Sequence, residues 1–449
     1  MCLRLPLARF ANHGENCYNE KRKRKKWRQA DTVMEQLSFE HMLDIIIQTL
    51  NRLDVRLTGH GERVAFGMLH LLEQDPRFPY EEVCKITLTS LLHDIGSFQH
   101  TTNIEDLLWL EQADGFSHAR YGYAFLKHFS PFPGYAPIVR FHHSTRQQIQ
   151  DSMLDVRLQW VAGCLQVLDS VDLYRINHPR STASALQDFL KQLSPARYDP
   201  MAVEAVSQLL ERPDYFQPLL QGQYHDALLH HLCQMVLTPR EQEALLQTLV
   251  SSIDFRSHYT ALHCAIMVHA SDLLASLCGL DASACQSLHI GAMLHDLGKI
   301  SIPTSILESS GKLHGKDWDI MRSHVTVTEE ILTGRVSDEV LQIAIRHHET
   351  LDGKGYPRGL TAEQLTLPQR IVAVADIVSA LSEERSYKAA FPLNEVLRIL
   401  DDLCCQGKLC PFVVGILKRE RWLVYDAIRR ASAEASARYE QIYAEYFAL

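Results

Sequence analysis

The residues with the most chemistry in them come late in the chain. RHHETLDGKGYPRG, residues 346–359, sets His347 beside His348 at the end of an apolar run. Glu349, Asp352 and a loop punctuated by Gly353, Gly355 and Pro357 follow. Two imidazoles at the edge of a core are costly to desolvate unless something satisfies them, and metal coordination does so. Upstream, TALHCAI carries His263, MLHDLGK carries His295, Asp296 and Lys299, and RSHVT carries His324; downstream, VADIVS carries Asp376. Five imidazoles and two carboxylates exceed what one ion takes from protein, so two metals are implied. A carboxylate bridges cations where an imidazole binds one, which makes Asp296, in the middle of the set, the natural bridge. One division gives His263, His295, Asp296 and Asp376 to one ion, and Asp296, His324, His347 and His348 to the other. Positions then remain open for water and substrate. Two ions about 3.5–4 Å apart activate water as hydroxide and clamp the attacking and leaving oxygens of an in-line displacement at phosphorus. Lys299 can set positive charge against a non-bridging phosphate oxygen. Gly353 and Gly355 let backbone approach a ligand, while Tyr356 adds a hydroxyl and an aromatic face suited to a substrate with bases. Nitrogen and carboxylate donors without thiolate suit iron, manganese or zinc, with nickel also open.

A lone histidine on a helix, or an isolated His-Asp pair, means little. Here the whole series occurs twice. His60, His93, Asp94, His118, His142, His143 and Asp169 precede His263, His295, Asp296, His324, His347, His348 and Asp376 by 202 to 207 residues, in the same order. Such an offset implies two copies of one domain. A weaker mark, Pro200 in YDPMAV against Pro411 in LCPFVV, suggests that each copy ends in a similar helix.

The elements that must carry these residues read as helices. IGAMLHDL, VLQIAIRHH and PQRIVAVADIVSAL are apolar runs of helical length, Gly298 and Gly353 supply stop signals, and period-two alternation is hard to find. The fold class is therefore all-α, two tandem helical bundles. The boundaries fall at 1–33 for a basic, disordered extension, 34–212 for the first bundle, 213–250 for a helical connection and 251–449 for the second. In the connection, Thr238, Pro239 and Glu241 make a capping box. Near the end, Tyr425, Ile428, Ala431, Ala435, Tyr439, Ile442 and Tyr446 form a stripe at three- and four-residue steps. Packing on its own bundle is expected of that stripe, with a homodimer contact as the alternative.

Composition bounds the rest. With 46% hydrophobic and 22% charged residues the chain is of globular type. A net charge of −9 argues against a partner such as duplex nucleic acid, which calls for a basic face; the one strongly basic run is Lys21 to Arg28. No apolar run reaches the ~20 residues of a membrane span, and residues 1–33 lack a signal-peptide core, so a cytoplasmic location is expected. Eleven cysteines without CxxC pairs indicate neither a disulfide framework nor a thiolate zinc site.

The ordered blocks MLHDLGKISIP, GKLHGKDWDIMRSH, RHHETLDGKGYPRGL, RIVAVADIVSAL and ERSYKAAF are similar to those of the HD-GYP family, a subgroup of HD-domain metal-dependent phosphohydrolases. The resemblance implies a site of two or three metals, commonly iron or manganese, and hydrolysis of bacterial cyclic dinucleotides to linear ones. It makes Arg385 and Lys388 phosphate contacts beside Lys299, and Gly353, Gly355, Tyr356 and Pro357 the signature loop. Tyr259 stands where three-metal members carry an acid, which favours two ions, and Ser379 stands where the family often has Asp. The first repeat resembles the wider HD class, with Ser97 in place of the lysine and STRQQIQ in place of the glycine loop. Its expected role is regulation or removal of the 5′-phosphate from the linear product, against a decayed copy kept for packing. The tandem arrangement resembles members acting on 3′3′-cGAMP, with c-di-GMP as second choice. The competing class of function is a low-turnover, metal-bearing module that senses a nucleotide or oxygen through a partner.

Overall fold

The computed structural model describes residues 36–52, 57–99, 115–256, 258–309, 311, 313–383 and 390–448. The basic run, Arg385 and Lys388 lie outside them. Among the described residues there are helices and no strand beyond one isolated bridge between Asp352 and Thr361.

The helices that position the chemistry are α1 (Phe39–Leu50), α2 (His60–Leu72), α3 (Tyr80–Leu91), α4 (Gly115–His128), α5 (Ala136–Phe141) and α6 (Val156–Asn177) in the first half. A connecting helix, α7 (Pro239–Asp254), leads to α8 (His258–Leu277), α9 (Ala282–Leu294), α10 (Gly315–Leu332), α11 (Asp338–Ile345) and α12 (Leu367–Ser382), and α13 (Arg421–Ala448) closes the chain. In order, α2 to α6 correspond to α8 to α12, and each half inserts a 3₁₀ turn after its His-Asp pair, Ile95–Gln99 and Leu297–Ser301. Local sequence explains the starts. Asp155 accepts from the Arg157 and Leu158 amides, Asp281 from Ala284 and Ser337 from Val340. Thr238 and Glu241 make the expected reciprocal cap, with the Thr238 amide donating to the Glu241 carboxylate over 2.8 Å. Pro200 and Pro411 each open a helix, Pro200–Glu211 and Pro411–Arg419.

The connection does more than connect. Its helices Pro213–Gln221 and Tyr224–Leu232 lean on α2, and α7 lies between the two halves. Leu245, Leu246 and Leu249 of α7 belong to one apolar core with Ile46 of α1 and with Met293, Leu294 and Ile345 of the second half. A separate core under α8, α12 and α13 holds Ile266, Met267, Leu274, Val374 and Val378.

The C-terminal stripe divides its partners, where packing on its own bundle was expected. Val424, Ile428 and Ala431 enter the second-half core, but Ile442 packs with Tyr121 and Phe125 of α4, with Phe129 just after it and with Phe255. Tyr446 stacks on Tyr121 at 3.9 Å, its hydroxyl lies 2.9 Å from that of Ser117, and Glu445 pairs with His128 at 2.8 Å. Helix α13 is long enough to run past its own bundle, and the aromatic face of α4 offers its last turns more apolar area to bury, at about 25 cal/mol per Å².

Gly298 serves packing and does not act as a helix stop. A Cβ there would overlap the carbonyl oxygen of His324, and one on Gly96 would overlap that of His118. Each glycine lets the histidine-bearing helix sit directly on the His-Asp turn. Gly298→Ala should cost about 3 kcal/mol, the upper part of the overpacking range, because the atom struck is backbone and not a pliable side chain. A lowered denaturation midpoint checks it; an unchanged one refutes it.

At the junction of α7, α8 and α9, His289 pairs with Asp272 at 3.0 Å and stands 3.8 Å from Glu243. Burial pulls its pKa down, but the two carboxylates outweigh that and push it up to about 9. A group whose folded pKa exceeds its unfolded value stabilises fully below the unfolded one, near 6.5, and loses that contribution as pH rises through about 9. With both carboxylates partly exposed, we expect a loss of about 1–2 kcal/mol between pH 6.5 and 9.5. It should be absent in His289→Gln, as thermal melts across that range would show.

Candidate metal centres

The structure brings the seven second-half donors together, six of them buried and His348 partly exposed. His263 projects from α8, His295 and Asp296 follow α9, His324 lies on α10, His347 and His348 follow α11, and Asp376 lies on α12. His295 Nε2 is 2.9 Å from Asp296 Oδ2, and His324 Nε2 is 3.4 Å from Oδ1 of the same carboxylate. Asp296 thus faces both sides. Asp376 approaches His263 Nε2 at 3.1 Å and His348 Nδ1 at 3.4 Å. Two triads of donor atoms are close enough to share an ion, His263–His295–Asp296 and His324–His347–His348.

Tautomers follow from the backbone. His295, His324 and His347 each donate Nδ1–H to the carbonyl three residues earlier, at 2.8, 2.6 and 2.6 Å. Their Nε2 lone pairs therefore point inward. His324 and His347 present two such lone pairs to each other at 3.4 Å, an arrangement that repels unless a cation stands between or beside them. Burial pushes His324 down to about 3 and, with His348 adjacent, drives His347 far below its ordinary value, so both are neutral imidazoles as metal ligands must be. Burial would raise Asp296, but His295 and Lys299 hold it well below the carboxylate range. His295 Nε2 and Asp296 Oδ1 are buried with no hydrogen-bond partner. Each such atom costs about 1–3 kcal/mol, and a divalent cation satisfies both. The residues fit the metals that the sequence implies.

Lys299 is less free than expected of a phosphate contact, since its Nζ lies 2.5 Å from Asp296 Oδ2. The loop is built as a wall. Glu349, 2% exposed, accepts from the Arg358 amide at 2.7 Å and the Leu360 amide at 2.9 Å, and Asp352 accepts from the Lys354 amide. A Cβ on Gly355 would run into the His348–Thr350 backbone, and Gly353 takes φ 72°. The fold-back sets the Tyr356 ring 4.7 Å from that of His348.

In the first half the equivalent donors also gather. His60 Nε2 is 3.2 Å from Asp169 and 3.5 Å from Asp94, and the Nε2 atoms of His142 and His143 lie 3.3 and 2.9 Å from that of His118. His60 Nε2 and His93 Nε2 are buried without a hydrogen-bond partner. The layer behind the donors differs between halves. His60 Nδ1 meets Asp172 at 2.8 Å, and Asp172 takes two hydrogen bonds from Arg63, at 2.7 and 2.8 Å. Ser379 occupies the place of Asp172, 2.7 Å from His263 Nδ1, and Glu383 reaches back to 3.6 Å from the same nitrogen, both its oxygens buried and without hydrogen bonds. Sequence reasoning missed Asp172 and Glu383, although the spacing of Asp169 and Asp172, one helical turn, was a usable signal. It also missed Trp318 and Arg322 of α10, which lean on Tyr356.

Residues 244–404 match the HD domain family model. The chain is 24% identical over 420 residues to 3′3′-cGAMP-specific phosphodiesterase 1 of Vibrio cholerae, spanning 89% of this chain and 97% of that protein. It is 39% identical over 164 residues to a cyclic di-GMP phosphodiesterase response regulator of Xanthomonas campestris, 36% of this chain and 43% of that one. The crystal structure of a cyclic GMP-AMP specific phosphodiesterase of Vibrio cholerae superimposes with a TM-score of 0.53 at 20% identity, covering 85% of this chain and 97% of that one, a likeness of fold. No helix among the described residues is long and apolar enough to cross a membrane.

Proposed function

We propose that this chain is a divalent-metal-dependent phosphodiesterase that opens a bacterial cyclic dinucleotide, 3′3′-cGAMP ahead of c-di-GMP, to its linear form. The observation that carries this is the pair of donor triads meeting at Asp296 with Lys299 on the same carboxylate. When bound, a pair of iron or manganese ions supplies Lewis acidity at phosphorus and an activated water. The chain's own residues do the rest. Asp296 holds the two halves of the site together, His263, His295, His324, His347, His348 and Asp376 complete the set, and Lys299 balances charge on the phosphoryl oxygens. Gly353, Gly355, Tyr356 and Pro357 wall the substrate, and Arg385 and Lys388 serve its second phosphate. Two HD-type units, 34–212 and 251–449, are joined through 213–250. The relatives' names support the substrate class. Purified protein with Mn(II) or Fe(II) should convert 3′3′-cGAMP to a linear dinucleotide on chromatography, faster than c-di-GMP or cyclic di-AMP. Failure to cleave any of the three with metal loaded would overturn the proposal.

The first half is proposed as a second metal centre that regulates or removes the 5′-phosphate of the linear product; its seven gathered donors and the Asp172–Arg63 support favour this over a decayed copy. His93→Ala with Asp94→Ala should lower bound metal and leave the linear product with its 5′-phosphate, while ring opening continues. Unchanged metal content would end this reading.

A further inference from the structure

We infer that Trp318 and Arg322 form, with Tyr356, a site for a purine base of the substrate, Arg322 favouring guanine; this rests on the activity proposed above. Both residues lie on α10, four positions apart and so on one face, just before His324. The Arg322 guanidinium sits 4.6 Å over the Tyr356 ring, and the Trp318 indole meets that ring edge-on at 6.1 Å. Since Tyr356 in turn lies against His348, an aromatic ledge runs outward from the donor cluster to solvent.

Two features separate this ledge from ordinary packing. Trp318 is 42% exposed although it borders a buried centre, so much of its face is left for something else to cover. Arg322 rests on a π face and makes no hydrogen bond or ion pair with the described residues, whereas Arg358 on the neighbouring loop is paired with Glu329 at 2.6 Å. Guanidinium N–H groups that no protein acceptor engages are available to a ligand. A pair of them matches the paired acceptors O6 and N7 of guanine, while adenine offers N7 beside an amino donor. The exposed indole face can stack on any base, with Tyr356 and Arg322 behind it. A cyclic dinucleotide with one phosphate at the donor cluster must lodge its bases on the surrounding surface, and this ledge adjoins the cluster.

The test compares wild type, Trp318→Ala and Arg322→Ala, all loaded with Mn(II), on 3′3′-cGAMP, c-di-GMP, cyclic di-AMP and the base-free diester bis(4-nitrophenyl) phosphate. For Trp318→Ala the ratio of kcat/KM on each cyclic dinucleotide to that on the base-free diester should fall about tenfold or more, as loss of one stacking partner does. For Arg322→Ala the ratio should fall about 10- to 100-fold for the guanine-containing substrates and several-fold less for cyclic di-AMP. Equal losses on all four substrates, or unchanged ratios, would overturn the base site while leaving the phosphodiesterase intact. Wild-type protein that cleaves the base-free diester but no cyclic dinucleotide would instead overturn the substrate class, and the base site with it.

Discussion

Asp296→Asn is expected to lower cyclic-dinucleotide turnover by at least about a thousandfold, since single electrostatic elements of such sites are worth ~10²–10³ and this residue serves two. Its carboxylate stands between His295 on one side and His324 on the other, so both triads lose their shared anion together. An amide offers one weaker oxygen donor and turns an NH₂ toward the second position, which suits neither a bridge nor a cation. Bound transition metal, measured by elemental analysis after dialysis, should fall with activity. The change also strands Lys299, 16% exposed at its side chain, without its counter-ion. Breaking a buried pair from one side costs about 3–5 kcal/mol, so thermal stability should drop as well. A variant that keeps wild-type metal content and turnover would remove Asp296 from the centre.

The donors were legible because their residue types and spacing, taken as a series, can be read without tertiary context. They also recur in order, which core residues of a helical bundle need not do. The cap at Thr238 was legible for a related reason, since a cap is satisfied within four residues. What escaped was whatever depends on reach across the fold. Glu349 reads as a ligand neighbour, yet its carboxylate spans to the amides of Arg358 and Leu360 and so shapes the loop. Glu383 supports His263 only because α12 ends where its side chain can turn back, and the register that presents Trp318 and Arg322 to Tyr356 exists only once α10 is docked. The stripe of α13 was visible as apolar, but periodicity cannot say against which helix it closes. Gly298 reads as a stop because glycine ends helices often; its use here depends on α10 crossing the His-Asp turn.

Lys299→Met separates chemistry from architecture. Methionine keeps most of the apolar stem and removes the charge, so the packing around the 3₁₀ turn should survive while the cation beside Asp296 is lost. If the lysine acts on the phosphoryl group, turnover of 3′3′-cGAMP should fall about 10²- to 10³-fold with metal content retained. If it serves only to neutralise Asp296, the bound ions take over that role and turnover should change little. Loss of metal together with loss of rate would make Lys299 a structural partner of the carboxylate and nothing more. The first half supplies the natural comparison, because Ser97 stands in the corresponding place and is 4% exposed, with the donors still gathered around Asp94. A cluster of that kind assembles without a lysine, so a rate defect in the methionine variant at full metal occupancy would report on the transferring phosphate and not on assembly of the site.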